Sequence, residues 1–476
     1  MTDFAGARKP TPRAAGAAAG SSAPDPVSPI TRELSEYVAA ALTRPLPEEV
    51  AEKAKCHLLD TLAAMVSGSR LPPGRRAIAY VRAQGGRRQA SVVGSRLLTT
   101  AVNAALANGM SAHADETDDS HHGGRFHPGC AVVPAALATA ELADRDGACL
   151  LRAIALGYDL GARFVIALGL GGAYTRPHST HSLGGLFGAA GAAGALLGLD
   201  ARQVRCQLSY AVQQASGLAY WMRDPEHVEK AFDFGGMPAR NAVAAATMAA
   251  AGFTAVEDPL AGARTYFEAF AEVPRPAALV EELGSRFEIM QASIKRWSAG
   301  APIQAALDAL ETLIRTHGIG ASAIASLTVR LPDDRIHLVD DRAVPNLCAQ
   351  HLLALLLLDG ALGFRAAHDR SRMRDPAVLA LREHIHLVPD AALTRALPPR
   401  QAIVEIALQG GAQLRQHARA VRGTPDNPMA RGEVEAKAED LLAPVLGPER
   451  ARALAAQVRQ MERLTSIRAL RPLLQA

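Results

Sequence analysis

Strand-like alternation is confined to one stretch of this chain, and that confinement limits its fold more than any other feature. SLTVRL (326–331), HIHLV (384–388), QAIVEIAL (401–408) and LRQHARAV (414–421) alternate at the period of two that a half-buried strand requires. QGGAQ joins the last two as a hairpin. Before and after this stretch the apolar residues recur at helical spacing, as in the stripe Leu58, Leu59, Leu62 and Met65 of a helix closed by Gly68. Hydrophobic residues make up 49% of the chain but aromatic ones only 4%. The core must therefore be filled by Ala, Leu, Val and Ile on closely packed helices. The Gly- and Ala-rich run 184–199 suits such close approach.

These patterns predict a mainly α fold: a large all-helical domain with an inserted, smaller α+β domain. Residues 1–29, rich in Ala, Pro, Ser and Gly, read as a disordered segment. Residues 30–288 read as the first part of the all-helical domain and 289–424 as the α+β domain. Residues 425–476 read as a helical tail that packs back on the all-helical part.

Charge and cysteine usage exclude several classes. The net charge of +4 is spread along the chain without a basic block, so nucleic acid is not an expected partner. The longest apolar windows, 184–199 and 351–364, fall short of the ~20 residues that a membrane span needs. Cys56, Cys130, Cys149, Cys206 and Cys348 form no close pair, which fits reduced thiols in the cytoplasm.

Chemistry is concentrated in SAHADETDDSHHGGRFHPGC (111–130), a polar connection between two apolar helical runs. His113, Asp115, Glu116, Asp118, Asp119, His121, His122 and His127 lie within it. A solvated turn is one reading, and a His/carboxylate metal site a second, although no HExxH or Cys pair fixes a ligand geometry. General acid/base work on a small anionic substrate fits better. A second polar connection, YTRPHSTHS (174–182), sets Arg176, His178 and His181 at the start of a helix, where free N–H groups favour anions. Lys230 stands near Phe232, Phe234 and Met237, apolar company that could hold it in a cleft. GLGG (169–172) is not a dinucleotide loop, since Tyr174 occupies the third small position and a helix precedes it.

Five blocks, in order, resemble the MmgE/PrpD family: NAALANGMSAHADETDDSHHGGRFHPGCAVVPAALATAE, LGGLFGAAGAAGALLGLD, KAFDFGGMPARNAVAAATMAAAGFT, IKRWSAGAPIQAALDAL and NLCAQHLLALLLLDG. The resemblance implies an all-helical domain with an α+β insertion, in a cytoplasmic homodimer, with a metal-free and cofactor-free site between the domains. It places family positions on Asp118, Asp119, Ser120, His127, His178 or His181, and Lys230; the expected catalytic groups are Asp118, Asp119, His127, His181 and Lys230, and Ser120, His178, the cationic Arg296 and Gln304 are expected to bind substrate. The implied substrate is a small di- or tricarboxylate, handled by acid/base chemistry at the carbon next to a carboxylate. Dehydration of the 2-methylcitrate dehydratase type is the first expectation. Epimerisation and decarboxylation are alternatives within the family, and a catalytically inactive carboxylate-binding protein is one outside it. Two departures stand out: Gln304 replaces a common histidine, and Glu116–Thr117 replaces Asp and an aromatic residue.

Overall fold

Direct backbone contact organises the helical part of the molecule. The computed structural model describes residues 27–170 and 177–476. Arg176 and all but the last three residues of the segment expected to be disordered lie outside them. The helices α1 (Pro29–Ala40), α2 (Glu48–Gly68), α3 (Pro72–Gln84), α4 (Ala101–Ala112), α5 (Gly129–Ala143), α6 (Gly147–Ile166), α7 (Thr180–Leu197), α8 (Ala201–Gln213), α9 (Val228–Ala231) and α10 (Met237–Ala250) follow in order. Helix α7 packs against α5, α6 and α10. A methyl group at Gly188 would stand 2.4 Å from the carbonyl oxygen of Gly157, and one at Gly157 2.9 Å from that of Gly188. Only glycine lets α6 and α7 meet at this distance.

The C-terminal tail completes this core. Leu441 and Leu442 of the helix Arg431–Leu446 and Leu454 of the helix Pro448–Arg459 are buried in one cluster with Leu58, Leu62 and Met65 of α2. Lys437 adds a polar tie: its Nζ lies 2.6 Å from the buried carboxylate of Asp60 and donates to the carbonyl of Thr117 at 2.9 Å.

Among the described residues two short ladders and one sheet hold the strands. β1 (Ala90–Ser91) pairs with β2 (Leu98–Thr99), and β3 (Ser120–His121) with β4 (Ala292–Ser293), both antiparallel. His121 and Phe126 form an isolated bridge. The sheet is built from β5 (Ile324–Pro332), β6 (Ile385–Asp390), β7 (Ala402–Leu408) and β8 (Gln413–Ala418), in the order β6-β5-β7-β8. Alternation reads the buried face well: Leu327, Val329, Leu331, Val404 and Ile406 point into a cluster with Leu307 and Leu310 of the helix Gln304–His317. What alternation does not signal is that β5 and β6 run parallel while the other pairs are antiparallel. The two-residue strands before residue 250 also escape it, because they are loop pairings too short to show a period. Among the described residues no helix is long and apolar enough to cross a membrane.

If the tail is part of the helical core, Leu442→Ala should lower stability by about 2 to 5 kcal/mol, the usual cost of emptying a fully buried leucine site. Denaturant unfolding measures this, and a loss under ~1 kcal/mol would show that the tail packs loosely.

Candidate active site

The polar connection between α4 and α5 is shaped by its own side chains. His113 ends α4. Asp115 then accepts from the N–H and hydroxyl of Thr117, at 3.0 and 2.6 Å, and its Oδ2 lies 2.7 Å from His368 Nε2 as an ion-pair contact. This turn sends Asp118 and Asp119 in different directions. Asp119 is buried away from the chemistry, accepting from Tyr158 Oη at 2.5 Å, His57 Nδ1 at 2.7 Å and the N–H of Gly129 in the first turn of α5 at 2.9 Å. It fastens the loop to α2, α5 and α6, so of the two aspartates only Asp118 faces the cluster.

Asp118 is shared by three cations or potential cations. Its Oδ2 lies 2.8 Å from His113 Nδ1, its Oδ1 3.1 Å from His127 Nδ1, and Lys295 Nζ stands 3.6 Å from the same Oδ1. A carboxylate accepting at both Nδ1 atoms sets both imidazoles in the Nδ1–H tautomer, with Nε2 carrying the lone pair. Next to it, Glu116 pairs with Lys230 Nζ and lies 3.7 Å from Lys295 Nζ, while Lys295 also donates to the Glu116 carbonyl at 2.7 Å. Two carboxylates thus face two ammonium groups.

Burial and charge pull these groups apart. Burial would raise Glu116 and Asp118, yet Lys230 and Lys295 hold Glu116, and His113, His127 and Lys295 hold Asp118, well below the usual carboxylate range. Burial lowers His127 to about 4, with the pull of Asp118 only partly opposing it. His227 falls to about 3, first through burial and then through Lys230, and His181 is pushed well down for the same first reason. At neutral pH these imidazoles are uncharged, so each can take a proton but none starts as a charged acid.

Phe234 gathers the rings. It sits on a π-helical turn, Phe232–Gly236, between α9 and α10. His113 stacks on it at 4.3 Å between centroids and His181 at 3.7 Å. Two rings that close and that nearly parallel can only occupy opposite faces. His127 lies at the rim, 5.0 Å from His113 and 5.3 Å from His181. Lys230 Nζ lies 5.1 Å from the Phe234 centroid and 5.2 Å from that of Trp221. The turn is placed by glycine contact, since a methyl at Gly235 would stand 2.2 Å from the Gly109 carbonyl of α4.

Asp118, His127, His181 and Lys230 are therefore brought together, and other sequence candidates are not. Ser120 faces Arg400, whose Nη1 donates to its hydroxyl at 3.3 Å. His178 lies edge-on to Phe270, 5.0 Å between centroids. Arg296 does not reach the cluster, because Glu311 binds its guanidinium through both terminal nitrogens. The cation that does is its neighbour Lys295. Gln304 is not turned toward a substrate either: its amide accepts from the Trp297 N–H at 3.1 Å and donates to the carbonyls of Trp297 and Ala299 at 2.9 Å each. It folds the segment after Lys295. Glu116, His113, His227, Trp221 and Phe234 complete the cluster without having been singled out as site residues. Glu116 had a signal in its departure from the family pattern.

Among the described residues two donor sets have metal-compatible geometry, His113/Glu116/His227 and His113/Asp118/His127, with ligand atoms within 4.8 Å of one another. Both carboxylates already carry ammonium partners. A divalent cation would have to sit against Lys230 or Lys295, which the electrostatics disfavour.

Comparison with known proteins agrees with this architecture. The model of the MmgE/PrpD N-terminal domain matches residues 32–278, and that of the MmgE/PrpD C-terminal domain matches residues 297–463. The cis-aconitate decarboxylase-like protein oryM of Aspergillus oryzae is 27% identical over 308 residues, 61% of this chain and 63% of its own length. A cis-aconitate decarboxylase of Aspergillus terreus is 25% identical over 306 residues, 61% of each chain. The chain thus spans less than two thirds of the length of these relatives.

The depressed His127 has a testable linkage. Its folded pKa of about 4 lies below the ordinary 6.5, so the unfolded chain binds more protons between these values. Stability should be full above pH ~6.5 and fall by up to ~1.4 kcal/mol per unit as pH drops toward 4. Asp118 contributes only below the ordinary carboxylate range, so the windows are separate. Denaturant unfolding from pH 7 to 5 should show a shallower slope in His127→Gln; equal slopes would mean that His127 titrates normally.

Proposed function

The chain belongs to the MmgE/PrpD family, and from that premise we propose that it is a lyase acting on a small di- or tricarboxylate. The observation that carries this reading is the shared Asp118, which fixes His127 through Nδ1 and keeps an ammonium group beside it. His127 Nε2 serves as the base for a proton on the carbon next to a carboxylate. Asp118 then stabilises the imidazolium that forms. Lys230 and Lys295 hold that carboxylate and offset the charge that develops on it.

In dehydration, the first reading, the C–H electron pair becomes the new double bond as the C–O bond breaks. The departing hydroxyl takes a proton and leaves as water. Lys230 is the charged donor for that step. His181, neutral at rest, offers a hydrogen bond. The names of the relatives favour a second reading, decarboxylation, in which the bond to the carboxylate carbon breaks, CO₂ leaves and the carbanion is protonated. The same site with proton return to the opposite face would epimerise. The reading includes the homodimer and cytoplasmic setting that accompany the family resemblance.

Proton NMR of small carboxylic acids incubated with the protein in heavy water separates the three: loss of water, release of CO₂, or deuterium entry without net loss. His127→Asn should lower kcat by roughly 10² to 10⁴. Lys230→Ala should lower kcat and raise KM, because it acts on both the bound acid and the developing charge. Near wild-type kcat in both variants would move the active site elsewhere. Activity should also survive exhaustive chelation; loss on chelation with recovery on adding Zn²⁺ or Mn²⁺ would favour one of the His/carboxylate sets as a metal centre.

A further inference from the structure

We propose that Arg400, flanked by Arg335 and His122, forms a second carboxylate subsite that binds the substrate carboxylate farthest from the reacting carbon and selects tricarboxylates over dicarboxylates. This rests on the carboxylate-lyase reading above and adds a specificity element to it.

The need for such a subsite follows from charge. Lys230 and Lys295 are already matched by Glu116 and Asp118. A polyanion entering beside them brings negative charge that the cluster alone does not balance. The sheet-bearing part of the chain supplies the missing cations. β5 ends at Pro332, β6, parallel to it, ends at Asp390, and antiparallel β7 begins at Ala402, so all three connections leave from one end of the sheet. Arg335 follows the first and Arg400 precedes the third.

Arg400 reaches the acid-base motif directly, through its 3.3 Å hydrogen bond to Ser120, the residue after Asp119. It is partly buried, yet among the described residues no carboxylate pairs with it. Its neighbour Arg335 is itself cationic, while His122 adds a neutral imidazole. Burial and then Arg335 lower Arg400 to about 10, and burial followed by Arg400, Arg335 and Arg125 lowers His122 to about 4. Among the described residues Arg335 pairs only with its exposed neighbour Asp334. Converging cations without an acid between them are unfavourable until an anion binds.

The backbone is held for this purpose. Arg400 (φ 67°) and Arg125 (φ 47°) both occupy the left-handed region, which long side chains rarely adopt. Each is pinned locally. Gln401 donates to the Pro398 carbonyl and pairs with His417, both at 2.8 Å, and Thr180 donates to the Arg125 carbonyl at 2.6 Å. The N–H of Asp333 donates to Thr394 Oγ1 at 3.0 Å, tying the Arg335 loop to the one that leads to Arg400.

Calorimetric titration of the full chain with propane-1,2,3-tricarboxylate and with butanedioate, which differ by one carboxymethyl group, tests this. The wild-type protein should bind the tricarboxylate more tightly by about tenfold or more, the scale of one charge-assisted hydrogen bond. Arg400→Gln should remove that preference by weakening the tricarboxylate alone, and Arg400→Lys should restore part of it. Arg335→Gln, on an exposed side chain, should act in the same direction by a smaller factor and reads the result even if Arg400→Gln fails to fold. Equal weakening of both acids, or a wild-type preference indifferent to both arginines, would overturn the subsite while leaving the lyase reading in place. Failure of the wild-type protein to bind either acid would remove both.

Discussion

A single buried carboxylate with two imidazoles and an ammonium group around it is the interaction on which the rest of this site depends. Asp118 has no exposed surface, and a carboxylate there without partners would be protonated or would open the fold. Its partners come from the end of α4, the start of α5 and the segment after β4, which are separate parts of the chain. Satisfying that one charge therefore fixes the positions of His113, His127 and Lys295 together. The same arrangement sets the tautomer of each ring and decides which nitrogen faces outward.

The scaffold serves this constraint by removing freedom around it. Asp119 spends its oxygens on His57, Tyr158 and the N-terminus of α5, so the adjacent Asp118 cannot swing into the core. Contact between Gly109 and Gly235 brings the π-helical turn against α4, and π-helical turns of this kind recur at functional sites. Phe234 then acts as a spacer whose two faces hold His113 and His181 apart. The low aromatic content has a consequence here: an Ala- and Gly-rich core lets backbones touch, and a few large rings are left to line the chemistry.

Much of this was readable from the sequence, and the rest was not for identifiable reasons. Period-two alternation located the four sheet strands because β5 and β7 bury residues in the cluster, and Leu387 of β6 and Leu414 of β8 pack partly against it. It could not tell that β5 and β6 run parallel, since that depends on how the intervening helices cross over. Asp118, His127, His181 and Lys230 stood out because the family resemblance fell on them, within polar connections or apolar company that already suggested chemistry. Lys295 did not, because two adjacent cations look equivalent until the chain path shows which points inward; Glu311 claims Arg296 and the cluster receives Lys295. Gln304 resembled a substrate contact only until its three backbone hydrogen bonds were in view. The burial that drives His127 and His227 down also depends on neighbours distant in sequence.

Lys437 ties the helix Arg431–Leu446 to the carbonyl of Thr117, a separation of 320 residues, and to Asp60 at 2.6 Å. β4 must likewise return to pair with Ser120 and His121. During synthesis the N-terminal helices can collapse as they emerge, but the loop carrying Asp118 lacks these anchors until the chain has been made as far as Lys437. A nascent chain would thus hold a preformed helical shell around an unfinished centre. That centre is complete only once the helix Arg431–Leu446 has docked and Lys437 has reached Thr117 and Asp60.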